Sequence, residues 1–205
     1  MAIEDKYSRG RGHFFPFQGT FFYQSDKNST NDGFDQHYNV QVAVEQENLF
    51  VVGNSLSNHP VDTYEAIPTV DAIPPEAGHP KAAALDKIYF APQNIQDLQA
   101  RQIEPFIATG REPHHRSWQE RFAQTPEPPP DDASPIVKMA YKLQTEVGQA
   151  IYGLRKSTVE PVIGIIKEVL GFRQFSLRGL EAAAGEWCLV CLAWNLKRLH
   201  KLATT

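Results

Sequence analysis

Three observations predict a mixed α/β domain. Tyr38-Asn-Val-Gln-Val-Ala-Val-Glu45 alternates with the two-residue period of a β-strand. Residues 82–110 read as strand, helix, strand. From Ile136 onward, apolar residues recur at helical spacing.

Residues 1–33 fit no periodic template. Arg9-Gly-Arg-Gly12 precedes Phe14, Phe15, Phe17, Phe21 and Phe22, which reads as an irregular N-terminal segment or, less simply, a basic tip that contacts nucleic acid. Residues 34–205 form the expected domain. In its first strand Val40, Val42 and Val44 stand against Asn39, Gln41 and Ala43, the pattern of a half-buried strand, and Leu49-Phe-Val-Val-Gly53 completes a hairpin. His59 to Pro80 is rich in Pro, Asp and Glu, a connection with a short helix near Tyr64. Ala82–Leu85 is an expected buried strand ending at Asp86. Pro92 is suited to the first turn of a helix running to Arg101, because its missing N–H has no partner there anyway. Glu104 to Gly110 is the next strand. A parallel return needs a crossover, so these pieces make a βαβ unit.

Residues 111–137 are a proline-rich loop insertion. Within them Arg111, His114, His115, Arg116 and Trp118 form a basic, aromatic spot suited to touching DNA, although a histidine pair without a third ligand is a poor metal site. Three helical faces follow: Ile136, Met139, Ala140, Leu143 and Val147; then Val162, Ile163, Ile166, Val169 and Leu170; then Leu177, Leu180, Ala184, Trp187, Cys191 and Trp194.

No apolar run approaches the roughly 20 residues that span a bilayer, so a cytoplasmic chain without a membrane partner is expected. The net charge of −4 conceals a split: residues 138–205 carry ten Lys/Arg against five acids, and residues 1–137 carry ten against nineteen. A basic C-terminal third suits a polyanionic partner. Cys188 and Cys191 have zinc-type spacing but no second pair, and small core residues on one helix face explain them better.

Few carboxylates stand where chemistry needs them. Asp86 lies at the C-terminal edge of a strand, where open α/β sheets display functional groups; a plain turn residue is the alternative. Glu160 precedes Pro161, so it is expected to open a helix and sit near the positive end of its dipole. Lys167 follows seven residues later on the same face. Tyr152 and Arg155 share a face of the preceding helix, where ring and guanidinium together can stack on a base and hold a phosphate; a solvated helix edge is the blander reading.

Together these blocks resemble a known family. Thr145-Glu-Val-Gly148, Tyr152-Gly-Leu-Arg-Lys156, Thr158-Val-Glu-Pro-Val-Ile-Gly164, Ile166-Lys167, Gly171-Phe-Arg-Gln-Phe-Ser-Leu-Arg-Gly179, Glu186-Trp187 and Ala193-Trp-Asn-Leu-Lys-Arg198 resemble the C-terminal part of the DDE domain of bacterial insertion-sequence transposases. Tyr38 to Val44, Asp86-Lys-Ile-Tyr-Phe90 and Ile107 to Arg111 are similar to its earlier blocks. The resemblance implies an RNase H-like mixed sheet with flanking helices, incomplete, and with a helical C-terminus. It implies DNA transposition: Mg²⁺-dependent phosphodiester cleavage and strand transfer through two metals held by three carboxylates. By that resemblance Asp86 is the second acid and Glu160 the third, both catalytic and metal-binding. Tyr152, Arg155, Lys156, Lys167 and Arg173 would hold DNA at transposon ends. No residue matches the first acid, Glu45 and Asp62 being the nearest carboxylates. A truncated, inactive copy is therefore expected, or a non-catalytic DNA-binding or regulatory fragment acting as a homodimer or with a full-length transposase.

Overall fold

The computed structural model describes residues 15–16, 21–23, 38–59, 61–110 and 127–204. Six strands are present there: β1 (Phe15–Pro16), β2 (Phe21–Tyr23), β3 (Tyr38–Val44), β4 (Val51–Ser57), β5 (Ala82–Leu85) and β6 (Glu104–Ile107). The α-helices are α1 (Ala66–Asp71), α2 (Pro92–Ala100), α3 (Pro135–Gln144), α4 (Glu146–Glu168) and α5 (Leu180–Ala203). The Arg9–Gly12 tip and the Arg111–Trp118 spot lie outside the described residues, whereas β1 and β2 fall in a stretch without any periodic pattern.

Strands β1, β5 and β6 form a parallel sheet in the order β1-β5-β6, and β2, β3 and β4 an antiparallel one. The hairpin of β3 and β4 and the parallel β5-α2-β6 unit are both as the sequence predicts. The two sheets share their cores. On one face, Ala43 of β3 clusters with Ala83 and Leu85 of β5, with Ala66 and Val70 of α1 and with Leu98 of α2. On the other, Ile151 and Tyr152 of α4 cover Ala82, Ala84 and Phe106, while Val159, Val162 and Ile166 of the same helix cover Val40, Val42 and Val44. Alternation along β5 decides which alanine meets which layer.

Several expectations need correction. Strand β3 is buried on both faces, not one, because α1 lies against the side carrying Asn39 and Gln41. The short helix expected near Tyr64 is present as α1, and Gly53 of β4 admits it: a Cβ there would stand 2.8 Å from Ile73 Cγ1 and from the Thr69 carbonyl. Residues 135–137 belong to α3, not to the proline-rich loop. The first helical face breaks at Thr145, whose hydroxyl caps α4 by accepting from Gly148 N–H at 3.1 Å, so Val147 belongs to the next helix.

The largest difference concerns Glu160. It opens no helix: α4 runs unbroken from Glu146 to Glu168 with Pro161 inside it. Proline in a helix interior costs about 3 kcal/mol through a lost hydrogen bond and a ring clash. Five buried side chains of α4, three on the antiparallel sheet and two on the parallel one, offset that cost. On α5 the buried stripe is Ala183, Trp187, Cys191 and Trp194, with Ala184 at its rim and Leu180 exposed; Leu177 precedes the helix and is exposed. Only Cys191 of the two cysteines is a core residue, and burial, then the neighbouring Cys188, pushes its thiol pKa up; Cys188 is exposed.

Candidate functional site

Asp86 is the residue that follows β5. Its Oδ1 accepts from the Lys87 N–H at 2.7 Å and caps the short 3-10 turn Lys87–Tyr89. That leaves Oδ2 directed to the α4 side of the sheet, where Arg155 Nη1 stands 3.6 Å away. The two partners differ in environment: the Asp86 side chain is 45% exposed and that of Arg155 only 7%.

Arg155 is the most unusual group on α4. Its Nε and Nη1 are buried and have no hydrogen-bond partner among the described residues, the 3.6 Å from Nη1 to Asp86 exceeding hydrogen-bond reach. Its guanidinium carbon lies 5.3 Å from the centroid of the buried Tyr152 ring, one turn earlier. A buried guanidinium with two nitrogens unbonded among the described residues, beside an aromatic face and a distant carboxylate, is poorly compensated. It is oriented toward the sheet-end acid, not displayed as an open phosphate grip.

The other expected residues are distributed along the same helix and beyond it. Tyr152, Arg155, Glu160 and Lys167, expected on two helices, share α4. Glu160 is exposed, on a different face from Arg155 five residues before it, and Lys167 is half-buried. The Lys156 side chain lies outside the described residues. Arg173 is beyond the helix, exposed and ion-paired with Glu168. With Glu186 it lines an open cleft between α5 and the loop after α4. Glu186 fixes that loop by accepting from Ser176 N–H at 3.0 Å and Leu177 N–H at 2.9 Å.

A set of residues not singled out as functional holds the other side of Asp86. Tyr89, three positions later, donates its hydroxyl proton to Gln41 Oε1 in the middle of β3. Gln41 Nε2 donates to Asn39 Oδ1 at 2.7 Å, and Asn39 Nδ2 donates to Asp62 Oδ1 at 2.5 Å. Asp62 is fully buried. Asn94 Nδ2 donates to the Tyr89 carbonyl at 2.9 Å and to Thr63 O at 2.6 Å, and Thr63 Oγ1 donates to Ile88 O at 2.8 Å. The turn after β5 is thus fastened to β3 and to the turn at Asp62, which fixes the backbone from which Asp86 projects. The signal in the sequence was the polar pair Asn39 and Gln41 at alternate positions of an otherwise apolar strand.

Both nearest candidates for a further acid are committed elsewhere. Asp62 belongs to this network, and Glu45 closes the β3–β4 turn by accepting from Glu47 N–H at 2.9 Å and Asn48 N–H at 2.5 Å. The sequence from Phe15 to Tyr23, which contains the strand beside β5, has no Asp or Glu. Among the described residues, no three His, Cys, Asp or Glu side chains form a group able to hold a metal. The described residues therefore do not fit a centre of two metals held by three carboxylates.

Comparison with known proteins gives one family. The family model described as a transposase DDE domain matches residues 133–200, about a third of the chain, covering α3, α4 and nearly all of α5. Its match supports a DDE transposase and transposition as the process, and it falls on the stretch where the recognisable motifs are densest. No curated protein and no solved structure matches the chain. No helix of the described residues is long and apolar enough to cross a membrane.

Proposed function

We propose that the chain is an RNase H-like DDE transposase domain of insertion-sequence type that binds transposon-end DNA and by itself lacks a complete cleavage site. The observation that carries this reading is the junction of Asp86 with Arg155. An acid at the C-terminal end of a central strand is reached by an arginine of the helix that also bears Glu160, inside the family match. β1 pairs in parallel with β5 and β2 antiparallel with β3, in two three-stranded sheets ordered β1-β5-β6 and β2-β3-β4.

In this reading Asp86 and Glu160 are the second and third acids and Arg155 positions Asp86. Lys156 and Lys167 of α4, and Arg173 in the loop beyond it, contact the DNA backbone. The acids among the described residues do not fit a two-Mg²⁺ centre. The test is a fluorescent duplex titrated with purified protein at several salt concentrations, with and without Mg²⁺. Binding is expected without Mg²⁺, weakening as salt rises because phosphate contacts release counterions. The double variant Lys167→Gln, Arg173→Gln is expected to weaken binding about tenfold and to lower the salt slope by about two. Absence of binding would overturn the DNA-end reading, and Mg²⁺-dependent strand cleavage would overturn the incomplete site.

A further inference from the structure

The loop from Gly171 to Gly179, between α4 and α5, divides its residues into anchors and a projecting edge. Phe172 and Phe175 are the anchors. Their rings meet edge to face with centroids 5.2 Å apart, Phe175 packs on Tyr38 at 5.4 Å and Phe172 on Trp187 at 6.0 Å. Arg173, Gln174, Ser176, Leu177 and Arg178 are exposed. Among the described residues, neither Gln174 nor Arg178 has a hydrogen-bond or ion-pair partner. Arg173, although paired with Glu168, keeps 63% of its side chain open to solvent.

The tip of this loop is fixed through its backbone. Ser176 N–H and Leu177 N–H donate to the Glu186 carboxylate at 3.0 Å and 2.9 Å, and Gly179 N–H donates to the Tyr38 hydroxyl at 2.7 Å. At the other end Phe172 N–H donates to Ile166 O at 3.1 Å. What this frame presents is a leucine: Leu177 is 50% exposed and belongs to no core cluster. The exposed leucines of α5 lie along a helix face, whereas Leu177 stands on a pinned turn with Arg178 beside it and Arg173 four residues before it.

An apolar side chain on a fixed backbone, flanked by guanidinium groups, has the parts needed to open a base step. The cations hold phosphates on either side, and the apolar group enters between base pairs and kinks the duplex. Because the backbone is ordered beforehand, less entropy is lost on binding. We propose that Leu177 is a wedge that enters a base step of bound duplex DNA from the minor groove, with Arg173 and Arg178 on the neighbouring phosphates. Gln174 supplies an amide donor for the base acceptors of that groove. The inference rests on the DNA-binding reading above and adds to it a deformation of the duplex. Pyrimidine–purine steps, which unstack most readily, are the expected points of entry.

The test uses the full chain and a series of duplexes of about 30 base pairs, each with 2-aminopurine at a different pyrimidine–purine step. Anisotropy of an end label reports binding, and 2-aminopurine fluorescence rises when the base leaves its stack. The wild-type chain is expected to raise that fluorescence at least about threefold at one or more steps. Leu177→Ala should abolish most of the rise and weaken binding by no more than about threefold, because phosphate contacts carry the affinity. If circular dichroism shows that this variant loses its helices, Leu177→Gln, which keeps the side-chain length, replaces it with the same expectation. Leu177→Met should retain the rise, and Leu202→Ala, at an exposed leucine near the end of α5, should leave it unchanged. Wild-type binding without a rise at any step overturns the wedge and leaves the DNA-binding reading standing. A rise that survives loss of the Leu177 side chain does the same. Absence of binding overturns both.

Discussion

Two buried polar groups lie on opposite sides of the end of β5, and they are treated differently. On the α1 side, Asn39, Gln41, Asp62 and Tyr89 bond to one another across β3 and two turns. On the α4 side, Arg155 is equally buried but its Nε and Nη1 find no hydrogen-bond partner among the described residues, Nη1 standing 3.6 Å from Asp86 Oδ2. Hydrogen-bonded polar groups in a low-dielectric interior make one arrangement unique, whereas an incompletely bonded one destabilises the fold. The first set builds the platform. The second is the kind of strain found at sites that handle charge.

Four substitutions sharpen that contrast. Asp62→Ala is expected to have the largest effect, lowering unfolding free energy by about 3–4 kcal/mol in a urea titration, because it strands the Asn39 amide in the interior. Tyr89→Phe should cost about 1–2 kcal/mol by the same measurement and loosen the turn bearing Asp86, seen as faster amide exchange there. Arg155→Met should leave stability within about 1 kcal/mol of wild type, in the stabilising direction if either, because removing a poorly compensated buried charge offsets the lost contacts. A loss as large as that of Asp62→Ala would mean that Arg155 belongs to the platform. Asp86→Asn should change stability least, by less than about 0.5 kcal/mol, since the acid is half exposed and its ion pair is long.

Much of the fold was legible. Period two marks β3, the Ala82–Leu85 run marks β5, and Pro92 opens α2, because backbone geometry prints its own period on side chains that must be buried. The site was legible only in part. The strand-end position of Asp86 was legible. The buried setting of Arg155 was not, because its environment comes from β5, seventy residues earlier. Glu160 was misplaced in its helix for a related reason: local sequence says that Pro161 starts a helix, and only packing on both sheets carries α4 through it.

Sequence alone determined which segments become strands and helices, and that the C-terminal third carries the recognisable motifs. Those properties are local: periodicity, caps and residue type. Tertiary structure decided which face of each element meets another, that Tyr152, Arg155, Glu160 and Lys167 share one helix, and that Asp62 and Glu45 are occupied in holding turns. These outcomes depend on contacts between residues far apart in the chain, whose free energies no single segment contains.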